Sequence, residues 1–221
     1  MTFPAPARYE EWLEFCFGQF ASAKPGDTAW SLLGDNDFDA SPEEIIELFE
    51  ATMLRSGTDL VEYSDMTLAV GLQVIFYPEP STICDKLCSP LHPPLAHRKA
   101  IRSIGRLYLD CLDRRGLTRF TGKDIAAPNF ELASCVFMLW DMSPLPNRAD
   151  CRTTVVLVET LAGALSCNSE GCLQSLVHGL GHMVPWGRSQ HFLDEFLMRR
   201  GDELSDELIE YAKAARTGCI L

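Results

Sequence analysis

The chain predicts an all-α fold of nine or ten helices, set as antiparallel helix pairs in an α-α superhelix. Three observations carry that expectation. Apolar residues recur at three- and four-residue spacing through most of the 221 residues. Prolines, glycines and Ser or Asp caps cut the pattern into segments of helix length. The stretches between segments are short, which suits antiparallel neighbours. No Gly-, Ser- or Pro-rich run divides the chain, so 1–221 reads as one helical domain. Within it, 1–60 reads as an N-terminal cap and 61–221 as the helical-repeat part. After residue 93 the helix pairs have the spacing of degenerate repeats of about 40 residues.

Each element has a local cause. Residues 8–22 carry Trp12, Leu13, Phe15, Cys16 and Phe20 at helical spacing, and Lys24-Pro25-Gly26-Asp27 ends that helix. Residues 27–40 read as an acidic loop containing Asp35, Asp37 and Asp39. Ser41-Pro42-Glu43-Glu44 is a helix start, with Ser41 as cap, Pro42 at the first helical position and Glu44 completing a capping box. That helix runs to about Arg55. Ser64-Asp65 opens a helix through Tyr77 that is apolar almost all round, so it is read as buried on several sides. Pro78 and Pro80 stop it, and a short helix covers 81–88. Residues 94–115 form the longest helix, with Gly116 as its C′ residue. A loop leads to Asn129, then apolar helices cover 130–141 and 149–166. Two helices over about 188–200 and 203–216 close the chain. TTVVLVET at 153–160 favours strand by composition, but it lies inside a helical pattern with no second strand to pair.

The most informative stretch is NSEGCLQSLVHGLGHMV, from Asn168. Asn168 is the expected cap, and Ser169 and Glu170 suit the positive end of a helix that Pro185 terminates. Leu173, Leu176, Val177 and Leu180 line one face of an amphipathic helix. Gly179 and Gly181 sit in mid-helix at a cost of about 1 kcal/mol each relative to Ala, which signals close approach of another helix.

Composition bounds the function. Hydrophobic residues make up 47% of the chain, enough to exclude disorder. No apolar run reaches the roughly 18–20 residues needed to span a bilayer. The N-terminal MTFPAPARYEEW lacks a basic region followed by an apolar one, so a cytoplasmic protein without a membrane is expected. The nine cysteines are odd in number and scattered. Cys16, Cys111, Cys135 and Cys172 read as small buried thiols rather than disulfides. The net charge is −12. Residues 1–50 hold 11 acids against 2 bases, 91–130 hold 3 acids against 8 bases, and 194–221 hold 7 acids against 4 bases. Such a chain repels nucleic acid and attracts basic partners, although acids also serve solubility.

Each candidate site has a plain structural reading beside the functional one. His178 and His182, four apart, can bring two imidazoles to one metal. The zinc-protease helix HExxH is not met, because Gly179 stands where the Glu belongs, so structural or partner-contacting histidines are the simpler reading. Cys84 and Cys88 miss the CxxC redox spacing. Arg98, Arg102 and Arg106 stack along one helix and are expected to pair with acids of a neighbour, for which residues 1–50 supply many. Asp141 ends a buried helix and reads as an anchor for the next segment. Asp35, Asp37 and Asp39 lack the Gly and the final Glu of a calcium loop. No GxSxG, phosphate-binding Gly loop or paired-carboxylate motif is present.

Tyr63-Ser64-Asp65, the corner from Trp140-Asp141 to Pro144, and the run from Ser175 to His182 together carry a resemblance over roughly 60–200. The chain resembles HEAT/armadillo-like helical-repeat proteins of bacteria, more narrowly a group of uncharacterised bacterial proteins. That resemblance implies a fold and supplies no catalytic residue. Helical-repeat folds of this size are similar to several immunity proteins that block a cognate toxin, an analogy of fold and charge.

The reading that follows is a non-enzymatic binding protein, an immunity protein that covers a basic toxin domain, with no cofactor. Its contacting surfaces would be the acidic loop 35–44, with Asp35, Asp37, Asp39 and Glu43, and the acidic helix over 202–210, with Asp202, Glu203, Asp206 and Glu207. Trp30, Phe38 and Trp186 would supply aromatic anchors. The alternatives are a helical-repeat adaptor in a bacterial complex, and a metalloprotein using His178 and His182.

Overall fold

The computed structural model describes residues 4–123, 125–127, 129–148, 151–184 and 188–220. Among these no strand occurs, and the chain forms twelve α-helical segments. They are α1 Tyr9–Cys16, α2 Ala29–Leu33, α3 Pro42–Asp59, α4 Asp65–Phe76, α5 Ile83–Leu87, α6 Pro94–Arg106, α7 Phe130–Met142, α8 Leu145–Arg148, α9 Cys151–Ala164, α10 Glu170–His182, α11 Ser189–Arg200 and α12 Asp206–Ala215. Nine of them are eight residues or longer, in keeping with the sequence expectation. No described helix is long and apolar enough to cross a membrane.

The helices stack in two layers. One runs α3, α6, α9 and then α11, and the other runs α4, α7, α10 and then α12. Both layers share one apolar core, in which Trp12, Phe17, Phe49, Phe76, Tyr108 and Trp140 are fully buried. Several polar groups inside it are paired. Trp12 donates its indole N–H to Thr52 at 2.8 Å. Ser175 donates to the Val136 carbonyl at 2.6 Å and pairs with the Tyr108 hydroxyl at 2.8 Å. Unpaired, each such group would cost about 1–3 kcal/mol.

Local starts and stops follow the sequence in most places. Ser41 accepts from the Glu44 N–H, and Ser64 accepts from the Thr67 N–H. Gly116 takes the left-handed conformation at φ 59° after the helix that begins at Pro94. That helix is not α throughout. It winds as a π segment over Leu107–Leu112 and as a 3-10 turn over Asp113–Arg115. The apolar spacing is similar in all three windings, so periodicity does not separate them. The helix expected over 8–22 likewise ends at Cys16 and continues as a 3-10 turn. Within 27–40, read as loop, Thr28 and Ser31 form a reciprocal capping box that starts α2. Five residues are too few to show a period.

Two anchors fix α10. Asp113 accepts the backbone N–H groups of Asn168 and Ser169, both at 2.7 Å. This corrects the expected cap, because Asn168 is engaged with Asp113 and it is Ser169 whose hydroxyl accepts from the Cys172 N–H. Just upstream, in the link between α9 and α10, Arg200 donates to the carbonyls of Leu165 and Cys167, which closes the end of α9. The helix is also not amphipathic in place. Every residue from Gly171 to Gly181 is buried. Its polar positions find partners instead of water, as when Gln174 bonds both the N–H and the carbonyl of Phe120. A Cβ on Gly179 would meet Trp140 and Leu161 at 2.8 Å, and one on Gly181 would meet Ile220 at 2.5 Å, so both glycines mark the expected close approach.

Candidate binding face and the Asp141 histidine cluster

The acidic segment before α3 forms a surface around α2. The capping box holds α2 in place, and the Ala29 N–H donates to the Gln73 side chain of α4 at 2.8 Å. Trp30 and Leu32 are left 38% and 39% exposed. The Trp30 ring leans on Tyr77, with centroids 5.5 Å apart. Asp35, Asp39 and Glu43, further along the same stretch of chain, are exposed, and none has an ion pair among the described residues. Of the two bases in this region, Arg8 is spent on Glu11 at 2.8 Å and Glu44 at 3.3 Å.

Two residues expected on this face do other work. Phe38 is 3% exposed. Its ring meets Trp12 edge-on at 5.3 Å and Phe15 at 5.5 Å, and the Arg8 guanidinium covers it at 4.6 Å. It is a core residue, because the aromatic cluster of α1 offers more apolar contact than the loop surface does. Asp37 is engaged inside the chain. It accepts from the Thr82 hydroxyl and N–H at the start of α5 and lies 3.6 Å from Lys86. Burial acts to raise its pKa, but the Thr82 hydrogen bonds and Lys86 outweigh that and hold it below the ordinary carboxylate value.

The second acidic surface lies at the opposite end of the layers. Asp202, Glu203, Asp206 and Glu207 are exposed near the start of α12. Glu203 bonds Arg200 at 3.1 Å, and Glu207 stands 3.9 Å from Arg119. Helices α7 and α10 separate α4 from α12. At about 8–10 Å per helix spacing, the two acidic surfaces are some tens of ångströms apart. Trp186 lies outside the described residues. The arginine row also differs from expectation: Arg102 faces Glu159 of α9 at 4.0 Å and Arg106 bonds Asp110 at 2.5 Å, with no acid of residues 1–50 involved.

The densest collection of reactive side chains sits where α7, α10 and α12 meet. Asp141 is one residue from the end of α7, and His182 is the last residue of α10. The Nε2 atom of His178 lies 2.9 Å from one Asp141 oxygen, and that of His182 lies 2.9 Å from the other. The two Nε2 atoms are 3.1 Å apart. From α12, the Tyr211 hydroxyl bonds Nδ1 of His178, with the two rings nearly parallel. Phe137 packs against the His178 ring at 4.5 Å between centroids.

His178 is 2% exposed, while the side chains of His182 and Asp141 are 23% and 32% exposed, so the cluster opens to one side. Burial lowers the His178 pKa and His182 adds to that, against the opposing pull of Asp141. The ring is therefore held toward its neutral form, in which one nitrogen donates and the other accepts. Burial, followed by Asp141, keeps the Tyr211 phenol well above its ordinary pKa and so protonated. Sequence spacing indicated the two histidines. Asp141 and Tyr211, 37 and 33 residues from His178, carry no signal at that distance along the chain.

Asp113, Cys167 and Cys172 form a second group close enough to share an ion. Its carboxylate is already occupied by the Asn168 and Ser169 N–H groups. Cys16, Cys111, Cys135, Cys167, Cys172 and Cys219 form no disulfide. No family model, no curated protein and no solved structure matches this chain.

Proposed function

We propose that this chain is a non-enzymatic binding protein that uses the α2 face to cover a basic protein domain, a toxin being the partner class its charge fits best. One observation carries the reading: Trp30 and Leu32 stand exposed within residues 1–50, which hold 11 acids against 2 bases, one of the bases already paired within the chain. An exposed aromatic supplies the buried anchor an interface needs, and unpaired acids in the same stretch of chain speed encounter with a basic surface and disfavour acidic ones.

The test is co-expression with a basic polypeptide encoded beside this chain, followed by titration of the purified pair. The reading expects a one-to-one complex that weakens as salt rises and loses about 30-fold or more in affinity with Trp30→Ala. Rescue of growth by the co-expressed chain would establish neutralisation. A partner without net positive charge, or a complex indifferent to both salt and Trp30→Ala, would refute the α2 face as the working surface.

A further inference from the structure

We infer that Asp141, His178 and His182 form a binding site for one divalent first-row transition cation, with zinc the natural probe. This goes beyond partner binding and does not depend on it. Two neutral imidazoles and a carboxylate are the donor types such ions prefer. The spacing fits as well. Two ligand atoms about 2.0–2.1 Å from one ion stand about 3.0 Å apart at a right angle and about 3.4 Å apart in a tetrahedron. Here the two Nε2 atoms are 3.1 Å apart, each lies 2.9 Å from a different Asp141 oxygen, and one donor atom from each of the three residues falls within 4.8 Å of the others.

The surroundings favour a cation independently of the ligands. The C-terminal ends of α7 and α10 meet at this point, and each carries partial negative charge on its last carbonyls. Asp141 adds a full negative charge to that place, where a carboxylate is least favoured. No lysine or arginine has an ion pair with Asp141 among the described residues. A bound dication offsets all three sources of negative potential.

Tyr211 supplies the orienting contact that metal-bound histidines use. With Nε2 of His178 on the ion, Nδ1 carries the proton and donates it to the Tyr211 oxygen. Without the ion the same hydroxyl donates instead, since a phenol does both. His182 and Asp141 leave the site open on one side, so water completes the coordination shell.

The experiment uses the full chain stripped with a chelator, then titrated with Zn²⁺ against a chromogenic competitor, with Co²⁺ as an optical probe. One Zn²⁺ per chain, a raised melting temperature and visible Co²⁺ absorption bands are expected. Asp141→Asn keeps the shape of the side chain, and His182→Ala removes a part-exposed group, so both variants fold. Each should lose at least tenfold in Zn²⁺ affinity, and Tyr211→Phe about tenfold. Cys172→Ser should bind as the parent does. Absence of stoichiometric Zn²⁺, or Zn²⁺ held equally well by Asp141→Asn and His182→Ala, would overturn the site. Loss of Zn²⁺ only with Cys172→Ser would move it to the Asp113 group. Trp30→Ala should leave Zn²⁺ binding unchanged, so this result and the partner result are read separately.

Discussion

His178 and His182 point their Nε2 atoms at one another across 3.1 Å, and each also reaches Asp141. One helical turn brings the rings to the same side of α10, but it does not bring them to a common acceptor. That requires the end of α7 to lie beside the end of α10. The arrangement follows from Asp113 fixing where α10 begins and from Gly179 letting Trp140 come close. Site and packing are therefore one problem in this chain: the side chain that follows Trp140 in sequence is the acid that joins the two histidines.

Tyr211→Phe removes the hydroxyl that pairs with Nδ1 of His178 and leaves a buried nitrogen without that partner. A loss of about 1–3 kcal/mol in metal-free urea unfolding is expected. An unchanged midpoint would show that water replaces the hydroxyl and that Tyr211 does not fix the ring.

Glycines in neighbouring helices should respond in opposite directions to Ala. In Gly179→Ala the new methyl meets Trp140 and Leu161 at 2.8 Å, so overpacking of about 1–3 kcal/mol outweighs the gain in helix propensity. A Cβ at Gly163 of α9 meets nothing within 4 Å, so Gly163→Ala should stabilise by about 0.4–1 kcal/mol. Thermal melts of the two variants, displaced in opposite directions from the parent, would confirm that α10 is held by close approach. Equal shifts would contradict it.

The two helices that frame the histidine cluster are legible in the sequence, as are its two histidines, but Asp141 and Tyr211 as their partners are not. Apolar spacing placed α7 and α10 to within a few residues because both are long and strongly patterned. The same reasoning made α10 amphipathic, since Gln174, Ser175 and His178 look like a solvent face. Each instead meets a partner contributed by a distant segment: Phe120, Val136 and Asp141. Phe38 fails for the converse reason. Acidic neighbours mark its loop as surface, but composition carries no information on which way one ring turns. Short elements are lost too, as α2 shows, because a five-residue helix is defined by its cap and not by a period.

Asp37 should give the fold an acid-sensitive contact. Its pKa is depressed in the folded chain relative to about 3.9 when unfolded, so the unfolded state takes up protons first. The contribution is then fully present above about pH 4 and is lost as pH falls through the folded value. In urea unfolding, Asp37→Ala should be less stable than the parent at pH 7, and the difference should shrink toward pH 3. A difference that stays constant with pH would assign the effect to packing alone.

Phe38 and Trp30 provide the sharpest separation between holding the fold and meeting a partner. Phe38 is 3% exposed against Trp12 and Phe15, whereas Trp30 is 38% exposed and among the described rings meets Tyr77 alone, at a tilt of 40°. Phe38→Ala should cost about 3–5 kcal/mol, the usual loss for a buried aromatic. It should also remove the ring that the Arg8 guanidinium covers. Trp30→Ala should cost far less stability, since part of its surface is already in water, while weakening the basic partner about 30-fold or more. Measured together by urea unfolding and titration of the complex, the two variants should fall on opposite sides: one unstable and binding normally per folded molecule, the other stable and binding poorly. If Phe38→Ala weakens the complex in its folded fraction as much as Trp30→Ala does, the loop 35–44 meets the partner in a different arrangement, with Phe38 released from the core.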